Sequence, residues 1–201
     1  MNLNSKIQSI WGLSNIYKLN SFNSIADEMV VSLEEEISLK KIKADNEKGH
    51  LTHIAIELDK DCIRSIFELK IINEYRYIEV FLKILYEKAF RSEDNLTFSN
   101  WNEIIKAFKK EKVDIEKNEG YYEVFQLKQV NNSLKHSTLP LNLDKKTKDI
   151  IEFKGIKKPD FDALRLFYDR VKKSTDLFVE NCIDSVVVEL ENNEQQIINN
   201  K

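Results

Sequence analysis

From His50 to Glu119 the chain contains neither a glycine nor a proline. Tight turns draw on glycine for positive φ and on proline for a preset φ, so a stretch this long without either cannot fold back often. Sandwiches and barrels, which turn about every ten residues, are excluded over that stretch. The full 201 residues hold only four Gly and two Pro, and Leu, Ile, Glu and Lys dominate, so long helices are the default. With 42 % hydrophobic content the chain can bury a sizeable core as one domain. The expected fold is all-α: an antiparallel helical bundle over residues 1–201, with its core over 22–191 and an Asn/Gln-rich tail, 192–201, that frays.

The apolar spacing predicts the helices. Ser5 to Tyr17 reads as a short helix, and Phe22 to about Lys43 as a longer one with Ile25, Met29, Leu33, Ile37 and Ile42 towards one side. Asn46 to Gly49 breaks the pattern. Asp59 to Phe90 is clearest, because Ile63, Phe67, Ile71, Ile78, Phe81 and Leu85 follow steps of three and four. Glu74 interrupts that stripe. It reads either as a brace or acid in a polar site or as a residue at the stripe's edge beside Lys70 or Arg76.

Ser99 or Thr97 is the expected cap of a fourth helix through Trp101, Ile104, Ile105 and Phe108, with Lys109 to Lys112 at its C-terminus. Gly120 opens a fifth, with Val124, Leu127, Val130 and Leu134 on one side and Tyr121, Phe125, Asn132 and His136 on nearly the other. Residues 137–158 then form a long irregular connection with room for a short strand at Ile150 to Phe153, a length typical of functional covers. Pro159-Asp160 starts the last helix, on which Phe161, Leu164, Tyr168, Val171, Phe178, Cys182 and Val186 make a core row interrupted by Thr175.

A net charge of −3 argues against holding duplex nucleic acid through a broad positive surface. Locally the balance differs. Lys135, Lys145, Lys146, Lys148, Lys154, Lys157 and Lys158 outnumber Asp144, Asp149 and Glu152; the plainer reading of that run is a solvated lysine-rich loop. Cys62 and Cys182 have no metal-type or redox-type spacing and read as two buried thiols of a reducing compartment. With no leader-like N-terminus and no long apolar run, a cytoplasmic protein without membrane contact is expected.

Polar chemistry concentrates in Asn131-Asn132-Ser133-Leu134-Lys135-His136, at the end of the fifth helix. His136 can take or give a proton, Lys135 can hold an anion, and the two amides can orient a polar ligand. Asn132 and His136 stand one turn apart and can act together. The competing account is that His136 merely supplies a cation to the last helical turn ahead of Pro140.

This ending resembles that of the HEPN superfamily (higher eukaryotes and prokaryotes nucleotide-binding), small helical bundles frequent in toxin-antitoxin and phage-defence systems. Its members carry an Arg, then a polar residue that is often Asn, and a His four to six residues beyond the Arg. Asn132 matches the polar position and His136 the histidine; the Arg position is Asn131. The resemblance, spanning at most residues 59–190, implies a homodimer in whose cleft Arg and His cut RNA without metal, the imidazole assisting attack by a ribose hydroxyl. It also implies a cognate antitoxin or other defence-system protein as partner. Asn131 cannot stabilise a phosphorane as a guanidinium does; Lys135 or Arg76 are the candidate substitutes, with Glu74 as a supporting residue.

No cofactor is implied. His50-x-x-His53 with Glu57 and Cys62 offers metal-ligand types, but the set is incomplete and no metal site is expected. Two functions stand: an HEPN-like endoribonuclease or defence effector using His136, and a non-catalytic helical module that binds a nucleotide, RNA or a partner protein through the same groove.

Overall fold

The computed structural model describes residues 2–18, 21–47, 50–90, 98–136, 147–156 and 158–199. It is an all-α helical bundle with six helices and, among the described residues, no strand: α1 (Leu3–Lys18), α2 (Ser21–Glu47), α3 (His50–Phe90), α4 (Trp101–Lys110), α5 (Tyr121–His136) and α6 (Phe161–Asn199). Among these residues no helix is long and apolar enough to cross a membrane. The chain forms two compact units, one of Met1–Leu19, Tyr75–Phe125 and Val171–Lys201, the other of Asn20–Glu74 and Gln126–Arg170.

In the first unit the ends of α4 follow from its flanking residues. Asn100 is the cap, its Oδ1 accepting the Glu103 N–H at 3.1 Å. The Glu103 carboxylate accepts the Ser99 N–H and hydroxyl, each at 2.8 Å, and these bonds hold its carboxyl below the usual range. The cap is thus one residue later than Ser99, and Thr97 lies outside the described residues. At the other end Lys112 takes a φ of 62°, and the Val113 N–H reaches the Phe108 carbonyl at 2.9 Å, the long bond of a Schellman ending. Tyr86 packs edge-on against Phe98 and Phe108, with centroids 5.2 and 5.4 Å away. The turn before α5 is tied to α6 by Asn118, whose Nδ2 donates to Cys182 Sγ at 3.4 Å and whose Oδ1 accepts from Ser185 Oγ at 3.0 Å.

In the second unit charged side chains do much of the joining. Lys70 of α3 is buried, pairs with Asp27 of α2, and sits 4.4 Å from the Tyr168 ring of α6. Arg165 pairs with Glu34 of α2 and lies 5.4 Å from the Phe67 ring. Lys40 donates to Asp59 at 2.6 Å. The segment before α6 is a 3₁₀ turn, Ile151–Phe153, where room for a strand was expected. Ile150 and Phe153 are buried, Phe153 against Phe167 at 5.2 Å, and a turn buries both in three residues where a lone strand would lack a pairing neighbour. Its Glu152 forms a fork with Arg170, at 2.6 Å to Nε and 2.9 Å to Nη2, while Nη2 also donates to Gln126 Oε1 at 2.9 Å.

Other expectations shift. On α2 the buried row is Ala26, Val30, Ile37 and Ala44, while Ile25, Met29 and Ile42 are exposed: two small alanines let the helix approach closely, one residue out of step with the larger side chains. Helix α3 starts at His50 rather than Asp59, since nothing between them breaks a helix. Helix α6 runs to Asn199, through the tail expected to fray. Its cap is Asp160, whose Oδ1 accepts the Ala163 N–H at 2.9 Å, and the Thr175 hydroxyl is satisfied by the Lys172 carbonyl at 2.8 Å.

Two outcomes are expected. A Cβ at Gly120, where φ is 86°, would lie 2.2 Å from the Ser174 carbonyl oxygen and 2.9 Å from Phe178 Cβ. Gly120→Ala should therefore lower unfolding stability by about 3 kcal/mol in urea titration, combining left-handed strain with overpacking; a loss below 1 kcal/mol would contradict this contact. Burial pushes the Glu152 carboxyl up, but the Arg170 hydrogen bonds and charge outweigh it and hold the group below its ordinary value of 4.5. Its stabilisation is therefore complete above that value and lost as pH falls through the lower folded one. Glu152→Gln should cost about 2 kcal/mol at pH 7, and the gap from wild type should close as the pH drops below 4.5.

Candidate functional site

The fifth helix presents its last turns in two ways. Val124, Leu127 and Val130 are fully buried, and this row fixes the rotation of the helix about its axis. With that rotation set, Asn132, Lys135 and His136 fall on the exposed side, one turn or less apart. Asn131 falls on the other. It is fully buried, its Nδ2 lies 3.5 Å from Asn132 Oδ1, and its Oδ1 accepts no hydrogen bond from any described residue. Ser133 is buried as well.

The six residues singled out from sequence differ in exposure and in the unit to which they belong. Asn132, Lys135 and His136 share the exposed side, whereas Asn131 is buried and reaches the exposed set only through its long contact with Asn132 Oδ1. Glu74 is 1 % exposed, inside the α3 stripe and not at its edge, so a carboxylate there is a core group of the second unit. Arg76 is exposed and belongs to the first unit. No geometry within a unit brings Arg76 to His136. Of the lysine-rich connection, Lys148, Lys154 and Lys158 are exposed, and residues 137–146 and 157 lie outside the described residues.

Two further members of the polar face were not singled out. Lys128 and Gln129, both half-buried, precede Asn132 by one turn, and Lys128 precedes Lys135 by two. The signal for them was in the composition: from Val124 to His136 there is no acidic residue. The face therefore reads Lys128, Gln129, Asn132, Lys135, His136, with two fixed positive charges and two amides.

Among the described residues this face offers one imidazole, two amides and two lysines. Lys135 and His136 sit in the last turn, where carbonyls without helical donors carry partial negative charge, so part of their charge stabilises α5 itself. A phosphoryl transfer by general acid and base needs a second proton-transfer group and a preorganised cation for the developing oxyanion. The face places one imidazole beside amides and flexible lysines. Among the described residues no three or more His, Cys, Asp or Glu side chains cluster as a metal would need.

The burial of Asn131 yields a direct test. Asn131→Leu should leave stability within about 1 kcal/mol of wild type, since an apolar side chain replaces a poorly bonded buried amide. Asn131→Arg drives a guanidinium into the core, and it should cost more than about 3 kcal/mol by chemical denaturation. A stable Asn131→Arg protein that cleaves RNA would reverse the assignment of this position to the core.

No protein-family model matches the chain, and neither does any curated protein or solved structure.

Proposed function

We propose that this chain is an HEPN-like helical protein that binds single-stranded RNA through the exposed face of α5 and does not cut it. The observation that carries this reading is an acid-free stretch of more than two turns in which half-buried Lys128 and exposed Asn132, Lys135 and His136 share one side of the helix. Lysines there meet phosphates as point charges, and the amides of Asn132 and Gln129 supply both donors and acceptors to ribose or base edges. A single strand suits this face better than a duplex, because two lysines on one short helix make a narrow stripe. Exposed Lys148 and Lys154 add positive charge to the same unit.

Absence of turnover follows from Asn131. The residue at the family's Arg position is buried, so the catalytic pair of active relatives has no counterpart on this face. The ribonuclease reading rests on the exposure of His136 one turn from Asn132.

With fluorescent single-stranded RNA, anisotropy should show binding whose log K falls against log salt with a slope of about −1.4 if both lysines meet phosphates. Lys135→Ala should reduce that slope by about 0.7, and Asn132→Ala should weaken binding without changing it. Labelled RNA should stay intact on a denaturing gel. Binding indifferent to both substitutions would reject the α5 face; metal-independent cleavage abolished by His136→Ala would establish the ribonuclease instead.

A further inference from the structure

Helix α2 carries more apolar surface than its own unit uses. Ala26, Val30, Ile37 and Ala44 take the buried row, yet Ile25 and Met29, one residue earlier, face solvent, Met29 at 52 % exposure. Ser32 and Glu36 continue that outer row at helical spacing. Across from it α3 presents Leu51, Leu58, Cys62, Ser65 and Leu69, steps of seven, four, three and four, with Leu58 60 % and Leu69 51 % exposed. Between the rows lies an open groove of 590 Å³ lined by Met29, Ser32, Leu33, Leu58, Cys62 and Ser65 among others. Leucines along its edge and a floor of flexible or small side chains are what a docked helix needs. The α3 row is about 27 Å long, enough for a helix of about 18 residues.

Charge decides what fits. Helix α2 holds seven acidic and three basic residues, and α3 as far as Glu74 holds five and three, a net of −6 along these stretches, although Glu68 and Glu74 are buried and Glu34 is met by Arg165 of α6. Exposed Glu28 and Glu36 stand one turn to either side of Ser32, and Asp61 lines the groove. Lys40 and Arg64 compensate Glu36 and Asp61 in part, at 3.2 Å each, and are already in that count. A second copy seated here would lay acid on acid, and an anionic lipid surface would be repelled in the same way. We infer that the α2–α3 groove receives a cationic amphipathic helix of a partner protein, a leucine stripe entering the groove and lysines or arginines meeting its acidic rim. This surface is independent of the α5 face.

The chain is titrated with a fluorescein-labelled helical peptide of about 18 residues, Leu at every third or fourth position and Lys on the flanks, with a Glu-flanked peptide of the same stripe as control. The Lys peptide should bind, and the Glu peptide should bind at least about tenfold more weakly. Leu58→Asp should weaken the Lys peptide at least about tenfold, although it adds negative charge and would strengthen a purely electrostatic attachment. Met29→Asp should act alike, and both sites are more than half exposed, so the variants keep their circular dichroism. Cys62 is exposed, whereas Cys182 is buried and burial pushes its thiol far up, so a disulfide reagent reports Cys62. Saturating Lys peptide should slow that reaction about tenfold. Equal binding of the two peptides, undiminished binding to both variants, or unprotected Cys62 would overturn the inference. So would a dimer in light scattering that Leu58→Asp dissociates, since the occupant would then be a second copy.

Discussion

The Arg170 guanidinium is the interaction on which the second unit most depends. It reaches three acceptors, two on Glu152 and one on Gln126, from a position on α6. An irregular segment of 147–156 has few backbone hydrogen bonds to hold it, so a fork on its one 3₁₀ turn fixes where it lies. Gln126 begins the part of α5 that belongs to this unit, and its bond to the same guanidinium sets that helix against α6. Leu127 and Val130, buried beyond it, then determine which residues of α5 face water. The exposed Asn132, Lys135 and His136 are therefore a consequence of how Arg170 and the apolar row hold the helix, and not of their own preferences.

The same unit shows how a helical bundle of this composition tolerates charge near its core. Lys70 lies over the ring of Tyr168 with Asp27 as its counter-ion, so its charge is met by an aromatic face and a carboxylate together. Arg165 repeats the device with Phe67 and Glu34. Both reach α2, a helix whose buried row includes two alanines and contributes little apolar area of its own. Ion pairs with aromatic support do for α2 part of what larger side chains would do elsewhere. Removing either cation leaves a carboxylate that is more than a third exposed, so α2 loses an attachment without gaining a buried charge.

The sequence revealed the helices well because their cause is local: spacing of apolar residues and the absence of breakers. Ile63 to Leu85 on α3 and Leu164 to Val186 on α6 are buried as their periodicity requires. What it hid depends on neighbours distant in the chain. On α2 Ile37 is buried as expected, but Ala26, Val30 and Ala44 take the places given to Ile25, Met29 and Ile42, because alanine carries little weight in a pattern of large apolar residues. Glu152 looked like one more charge in a lysine-rich run until Arg170, eighteen residues on, claimed it. Asn131 and Asn132 are chemically identical and adjacent, so only the rotation of α5 separates a buried amide from an exposed one. That Asn132 and His136 share a face was legible from helical geometry; the burial of Asn131 was not, because it is set by what packs against the other side.

Net charge averages over surfaces of different sign. A total of −3 argues against nucleic acid only if the charge is evenly spread, and here it is not. The α2 and α3 stretches of the second unit hold −6, so the rest of the chain carries the balance of +3, and α5 has no acid over its last thirteen residues. Opposite charge held on different helices of one unit is stable because rigid backbones keep the groups apart, and salt screens what remains beyond roughly 8 Å. Each helix surface then attracts ligands by its own local field and not by the sum. Surfaces of opposite local sign on one chain each repel ligands of their own sign, whatever the total charge.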